Sequence, residues 1–256
     1  MDLGLNGRVC VVTGASQGIG LAAGERLVAE GATVWMVARD EERLADAARG
    51  IGARWLAADV TDPATPSRIL EAAGTVDVLV NNAGTSSNQR LEDLTEDDWR
   101  DQHELHVMAP MRLMSAMAPA MADRGWGRIV NVASSAGKRP SSTMVAYSVA
   151  KAGQLSLSRA FADAYAGKGV LVNAVAPGVT GTGLWLDDGG LADQAAALQG
   201  TTPEEALNRM AARIPRGRIA EPGEIADVVV FLCSERAANV AGAAWSVDGG
   251  SVAIIV

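Results

Sequence analysis

Cysteine is almost missing from this 256-residue chain: only Cys10 and Cys233 occur, far apart in apolar segments. Two such residues make neither a disulfide framework nor a zinc site, so both read as buried thiols and no metal is expected. Positive charge is also short, with 22 Lys+Arg against 30 Asp+Glu and a net charge of −8. Nucleic acids and anionic membrane surfaces attract the opposite sign, so neither is expected as a partner. Lysine is the scarcest of the charged residues: Lys138, Lys151 and Lys168 are the whole set. Aromatic residues make up 4 %, and the tyrosines are Tyr147 and Tyr165. No apolar run approaches the roughly 18–20 residues that span a bilayer. The first residues, Met1-Asp2-Leu3-Gly4, lack the basic and apolar regions of a signal peptide. The expectation is a cytoplasmic protein that acts on a small molecule.

Hydrophobic residues are 48 %, the globular range, and the length suits one large domain. Short β-branched runs alternate with longer amphipathic stretches. Strands are expected at Arg8–Thr13, Thr33–Ala38, Arg54–Ala58, Val76–Val80, Arg128–Ala133, Val170–Val175 and Ala244–Val247. Helices are expected between them, including a long one from Thr95 towards Met121 despite Pro110, another over Val145–Tyr165, and Pro222–Cys233. Unalternating strands separated by helices point to a parallel sheet covered on both faces. The fold class is therefore α/β: a single domain over 1–256, a doubly wound parallel sheet of about seven strands. Asp187–Glu205 breaks the rhythm after the sixth strand, at the sheet edge where ligands bind. It reads as part of a substrate lid at about 179–214.

The stretch Thr13-Gly14-Ala15-Ser16-Gln17-Gly18-Ile19-Gly20 follows the first strand and opens a helix. Glycines let amide groups approach a phosphate, and a helix N-terminus adds free N–H donors. No Lys-Ser/Thr pair follows the last glycine, so this is not a nucleoside-triphosphate loop. Further on, Tyr147 and Lys151 are four apart on one helix and share a face. An ammonium beside a phenol favours the phenolate, and such a pair can exchange a proton with a carbonyl or alcohol oxygen. Ser134 ends the fifth strand, where its hydroxyl can bond an oxygen on which charge develops. Ser135 competes for that role, although Ser134-x-x-Gly137 is the better fit.

With Asp59-Val60, Asn81-Asn82-Ala83-Gly84, Asn173, Pro177-Gly178 with Thr182, and Val247-Asp248-Gly249-Gly250, these motifs cover nearly the whole chain. Together they resemble the short-chain dehydrogenase/reductase family, in particular its 3-oxoacyl-acyl-carrier-protein-reductase-like members. The resemblance implies a Rossmann-like fold and an oxidoreductase that interconverts a ketone and a secondary alcohol. Ser134, Tyr147 and Lys151 are the implied catalytic residues. The implied cofactor contacts are Gly14, Ser16, Gln17, Gly18, Ile19, Gly20, Asp59, Val60, Asn81, Ala83, Gly84, Tyr147, Lys151, Pro177, Gly178 and Thr182. A 3-oxoacyl thioester reductase, a lyase or epimerase on the same fold, and a dinucleotide-bound sensor without turnover are the alternatives.

NAD-specific relatives place an acidic residue at the end of the second strand. This chain has Ala38 and then Arg39, whose guanidinium can pair with a 2′-phosphate. NADP is the expected cofactor, with NAD as the alternative. Gln17 lacks the basic charge that some NADP-dependent members carry there. Met108, Met111, Met114, Met117 and Met121 recur at three- and four-residue spacing, which suits core packing or an interface. With the apolar tail Val252–Val256, they suggest a homo-oligomer, a tetramer by resemblance. The family's helix before the fifth strand supplies an asparagine that holds a relay water. Here His106 occupies that place, and its ordinary pKa near 6.5 predicts an added pH dependence around pH 6–7. His103, one turn earlier, reads as a surface residue.

Overall fold

The computed structural model describes residues 2–253. Continuous apolar stretches become strands β1 (Val9–Thr13), β2 (Thr33–Ala38), β3 (Arg54–Ala57), β4 (Val78–Asn81), β5 (Gly127–Val132), β6 (Val170–Pro177) and β7 (Ala244–Val247). They pair in parallel in the order β3-β2-β1-β4-β5-β6-β7. Successive side chains leave a strand on opposite faces. Cys10 and Val12 therefore enter one apolar layer and Val11 the other, as do Val78 and Val80 against Leu79. Both layers are apolar, which is why these strands lack alternation.

The first layer is closed by α1 (Gly18–Ala29), α2 (Glu41–Ile51) and α10 (Pro222–Cys233). The second is closed by α3 (Thr65–Ala73), α5 (Ala109–Asp123) and α6 (Val145–Tyr165). The methionine stripe divides: Met114, Met117 and Met121 are buried beneath the sheet, whereas Met108 and Met111 are half-buried. Three of the five thus belong to the core. Cys10 and Cys233 are buried free thiols in the first layer, and burial pushes Cys233 up to about 12.

The long helix before β5 is not one α-helix. It runs as α4 (Glu96–His103), a π-turn over Glu104–Met108, and then α5. Pro110 has no amide hydrogen to give the carbonyl of residue 106, so the regular ladder cannot pass through this point. His106 lies in the middle of the π-turn.

The stretch after β6 folds into three helices, α7 (Gly183–Leu186), α8 (Leu191–Gln199) and α9 (Pro203–Arg213). Ala195, Ala196, Ala206 and Met210 pack α8 and α9 together as a small separate cluster. Among the described residues, no helix is long and apolar enough to cross a membrane. Of the apolar tail, Ile254–Val256 lie outside the described residues.

Candidate active site

The strand order reverses between β1 and β4, and a doubly wound sheet opens a crevice at the carboxyl ends of such strands. The glycine loop lies there. Gly14 and Gly18 have φ of +62° and +59°, in the left-handed region. A Cβ on Gly14 would sit 2.7 Å from the Ala83 Cα, and one on Gly20 would sit 2.4 Å from the Gly14 oxygen. The loop is thus pressed against the turn after β4. Asn82 holds the two together: its Nδ2 donates to the carbonyls of Thr13 and Gly14, both at 3.0 Å. The Thr13 hydroxyl accepts from the amides of Asn82 and Ala83 at 3.0 and 3.1 Å. Asn82 reads as a turn residue in sequence, and nothing in the motif shows that its side chain ties down the loop.

Helix α1 starts at Gly18 with no side chain capping it, so its first amides remain available to an anion. Ser16, Gly18 and Ile19 are half-buried there, and Gln17 is exposed. Thr182 reaches the loop from beyond β6, its Cγ2 3.1 Å from the position a Gly18 Cβ would take. Pro177 ends β6, and Gly178 packs on the Asp248 backbone. On the other flank, Arg39 follows β2 and is exposed. Asp59 follows β3; its Oδ1 accepts from the amide and hydroxyl of Thr61 at 2.9 and 2.8 Å, and Val60 beside it is buried. The Asn81 side chain turns away from the crevice and donates to Asn131 Oδ1 at 2.7 Å, so only its backbone faces the loop region. These glycine clearances and free amides form a cradle that fits a dinucleotide.

Across the crevice, Ser134 follows β5 and its Oγ accepts from the Ala136 amide at 3.1 Å. Its hydroxyl neighbours the Tyr147 phenol and favours the ionised form. Lys151 is 3 % exposed; its Nζ donates to Val132 O at 2.8 Å and Gln154 Oε1 at 2.9 Å, and lies 5.6 Å from the Tyr147 ring centre. Burial pushes Lys151 down to about 7. The expected lowering of the Tyr147 pKa by this lysine is not found. Burial raises it instead, against the Ser134 hydrogen bond. Burial penalises the charged form of both residues. A phenol held protonated is suited to giving a proton.

Gln154 is a second feature that sequence reading missed. It begins a buried polar chain: the Gln154 carbonyl accepts from Ser158 Oγ at 2.7 Å, and Ser158 accepts from Asn131 at 2.8 Å, which meets Asn81.

His106 is buried, with its ring edge-on to Tyr147 at 5.2 Å between centres. Its Nε2 lies 3.0 Å from Thr85 O, which makes this nitrogen the protonated one. Nδ1 is buried and has no partner among the described residues. The ring also rests on Gly84, where a Cβ would come within 2.8 Å of His106 Cε1. Burial, and then the charge of Lys151, hold the imidazole well below its ordinary value. This direction favours the neutral ring and runs against the titration expected around pH 6–7. His103 is exposed, as anticipated.

The model of the family described as short chain dehydrogenase matches residues 8–188. The chain belongs to the short chain dehydrogenase family. Among curated members, the 3-oxoacyl acyl-carrier-protein reductase FabG of Salmonella typhimurium is 35 % identical over 254 residues, covering 97 % of this chain and 98 % of that one. A putative ketoacyl reductase of the monensin polyketide synthase of Streptomyces virginiae is 36 % identical, covering 95 % and 96 %. Among solved structures of this family, L-sorbose reductase from Gluconobacter frateurii, complexed with NADPH and L-sorbose, superposes with a TM-score of 0.91 at 37 % identity over both full chains.

Proposed function

We propose that the chain is an NADP-dependent oxidoreductase that interconverts a ketone and a secondary alcohol. The observation that carries this is the placement of Ser134, Tyr147 and Lys151 opposite the glycine cradle at one sheet edge. NADP(H), when bound, supplies or accepts the hydride. Ser134 bonds the substrate oxygen, and Tyr147 gives that oxygen its proton or takes it back. Lys151, fixed by Val132 O and Gln154, keeps one N–H of its ammonium form for Tyr147 or the cofactor. His106 serves the proton path as a neutral acceptor through Nδ1. Gly14, Ser16, Gln17, Gly18, Ile19 and Gly20 hold the phosphates. Asp59 and Val60 flank the adenine, while Asn81, Ala83 and Gly84 offer backbone to the ribose. Pro177, Gly178 and Thr182 meet the nicotinamide end. Arg39 pairs with the 2′-phosphate.

Helices α7–α9 act as the substrate lid. Asn88 supports this role: it donates from its amide to Gln194 Oε1 at 2.8 Å and from Nδ2 to Leu191 O at 3.1 Å, and it accepts from Thr143 at 2.8 Å. One asparagine thus ties α8 to the loop that precedes Tyr147. The relatives favour either a 3-oxoacyl thioester or a polar ketose as the carbonyl substrate. A homo-oligomer in the cytoplasm completes the reading; the exposed Val149 on α6, beside a groove of about 640 Å³ that Trp99 and His103 also line, is the surface in its favour. The test is a panel of ketones with NADPH, followed at the nicotinamide absorbance. Tyr147→Phe should lower turnover about 10²–10⁴-fold with cofactor affinity intact. A Phe variant with near-normal kcat on the best substrate refutes the assignment, and light scattering at 26.4 kDa refutes the oligomer.

A further inference from the structure

Gln17 stands where a basic residue would add charge to the glycine loop, yet the structure brings a guanidinium to it. Arg43, in the first turn of α2, donates from Nη1 to Gln17 Oε1 at 2.8 Å. This bond joins two segments 26 residues apart, across the connection that carries Arg39. The Ala15 amide meets Val37 O at 3.4 Å, so the end of β2 and the glycine loop lie side by side. The Arg43 Nε lies 3.5 Å from Asp40 Oδ2, and Asp40 caps α2 by accepting from the Arg43 amide at 3.1 Å.

We infer that Arg43, held by Gln17, is a second specificity residue for a phosphate on the 2′-hydroxyl of the adenosine, acting with Arg39. Gln17 is neutral, so the bond fixes the guanidinium without cancelling its charge. Nη1 is engaged by Gln17, and a guanidinium has further N–H donors to offer an anion. Arg39 makes no ion pair among the described residues and lies exposed just past the end of β2, four residues before Arg43. Asp40 opposes the site, because its carboxylate lies against Arg43 and repels a phosphate. An ion pair confined to the surface would leave ligand choice unchanged, and this separates the two accounts.

The inference rests on the NADP reading proposed above. The test is calorimetric binding of adenosine 2′,5′-bisphosphate and of 5′-AMP to the full chain, which needs no turnover. The wild type should prefer the bisphosphate. Arg43→Ala should weaken it about 5–10-fold, the low end for a charge-assisted contact at an exposed site, and leave 5′-AMP within twofold. Gln17→Leu should lose part of the same preference, since the guanidinium is then untethered. Asp40→Asn keeps the cap and should tighten the bisphosphate two- to threefold. A wild type without preference refutes the NADP reading and this inference with it. A wild type that discriminates, with Arg43→Ala unchanged or weakening both ligands equally, refutes only the role of Arg43.

Discussion

Lys151→Met offers a test of what the buried lysine costs the fold. The ammonium falls from an ordinary value near 10.5 to about 7 because it is out of water. At about 1.4 kcal/mol per pH unit, the charged form disfavours the folded state by about 5 kcal/mol. The sign follows from proton counting. Below pH 7 the lysine is charged in both states and the folded chain bears the full penalty. As pH rises from 7 towards 10.5 the folded amine is neutral while the unfolded one still holds its proton, so stability rises. At pH 9 the penalty has fallen to about 2 kcal/mol. Methionine has similar reach and no charge, but it leaves Val132 O and Gln154 Oε1 without their donor. Each lost partner costs about 1–3 kcal/mol, at every pH alike. The difference between variant and wild type should therefore shift by about 3 kcal/mol between pH 6 and pH 9, with methionine relatively better at pH 6. Urea unfolding of the cofactor-free protein at both pH values measures it; titrating groups remote from Lys151 cancel between the two chains, and repeating the pair in a His106→Asn background removes the one neighbour coupled to it. Parallel stability curves across that range would show that burial does not depress this lysine. The methionine variant should also be inactive, because it removes a residue of the proposed proton-transfer site.

Two further substitutions bear on the proton path and the cradle. His106→Asn should retain most activity with an unchanged pH profile, because the imidazole it replaces is already neutral, whereas His106→Ala should be at least tenfold slower; wild-type rates from the alanine variant would remove His106 from the mechanism. Gly14→Ala places a Cβ at positive φ and against the Ala83 Cα, so dinucleotide binding should be lost and the melting temperature should fall, by about 1–2 kcal/mol of backbone strain at the least; normal affinity in calorimetry would contradict the close approach of these two loops.

The sheet and its order of elements were legible because both faces are apolar, and the motifs then placed the crevice. Strand ends moved by a residue or two: β4 begins at Val78 rather than Val76, and β6 continues to Pro177. What sequence could not show was side chains meeting groups 26 to 106 positions away. Asn82 on Thr13, Asn88 on Gln194 and Arg43 on Gln17 follow no period. Pro110 lies within an otherwise helical pattern, and its effect, a π-turn that centres on His106, depends on how α4 packs against α6. The downward shift of His106 was illegible for a related reason: burial, its first cause, is a property of the folded pocket.

The contact between Asn81 and Asn131 has a consequence for how the sheet chooses its alignment. Val78, Leu79 and Val80 of β4 pack beside Ile129 and Val130 of β5, all buried, so at these positions a slip of one residue would exchange one aliphatic side chain for another. The hydrophobic pattern is blind to that error. Asn81 and Asn131 are directly paired in the register, and Asn131 is held in turn by Ser158. Sliding either strand would strand two amides in a dry interior, at about 1–3 kcal/mol for each lost partner. The alignment of the central strands is thus recorded in two polar side chains. Those two residues set the height along the sheet at which the turns bearing Gly84 and Ser134 emerge.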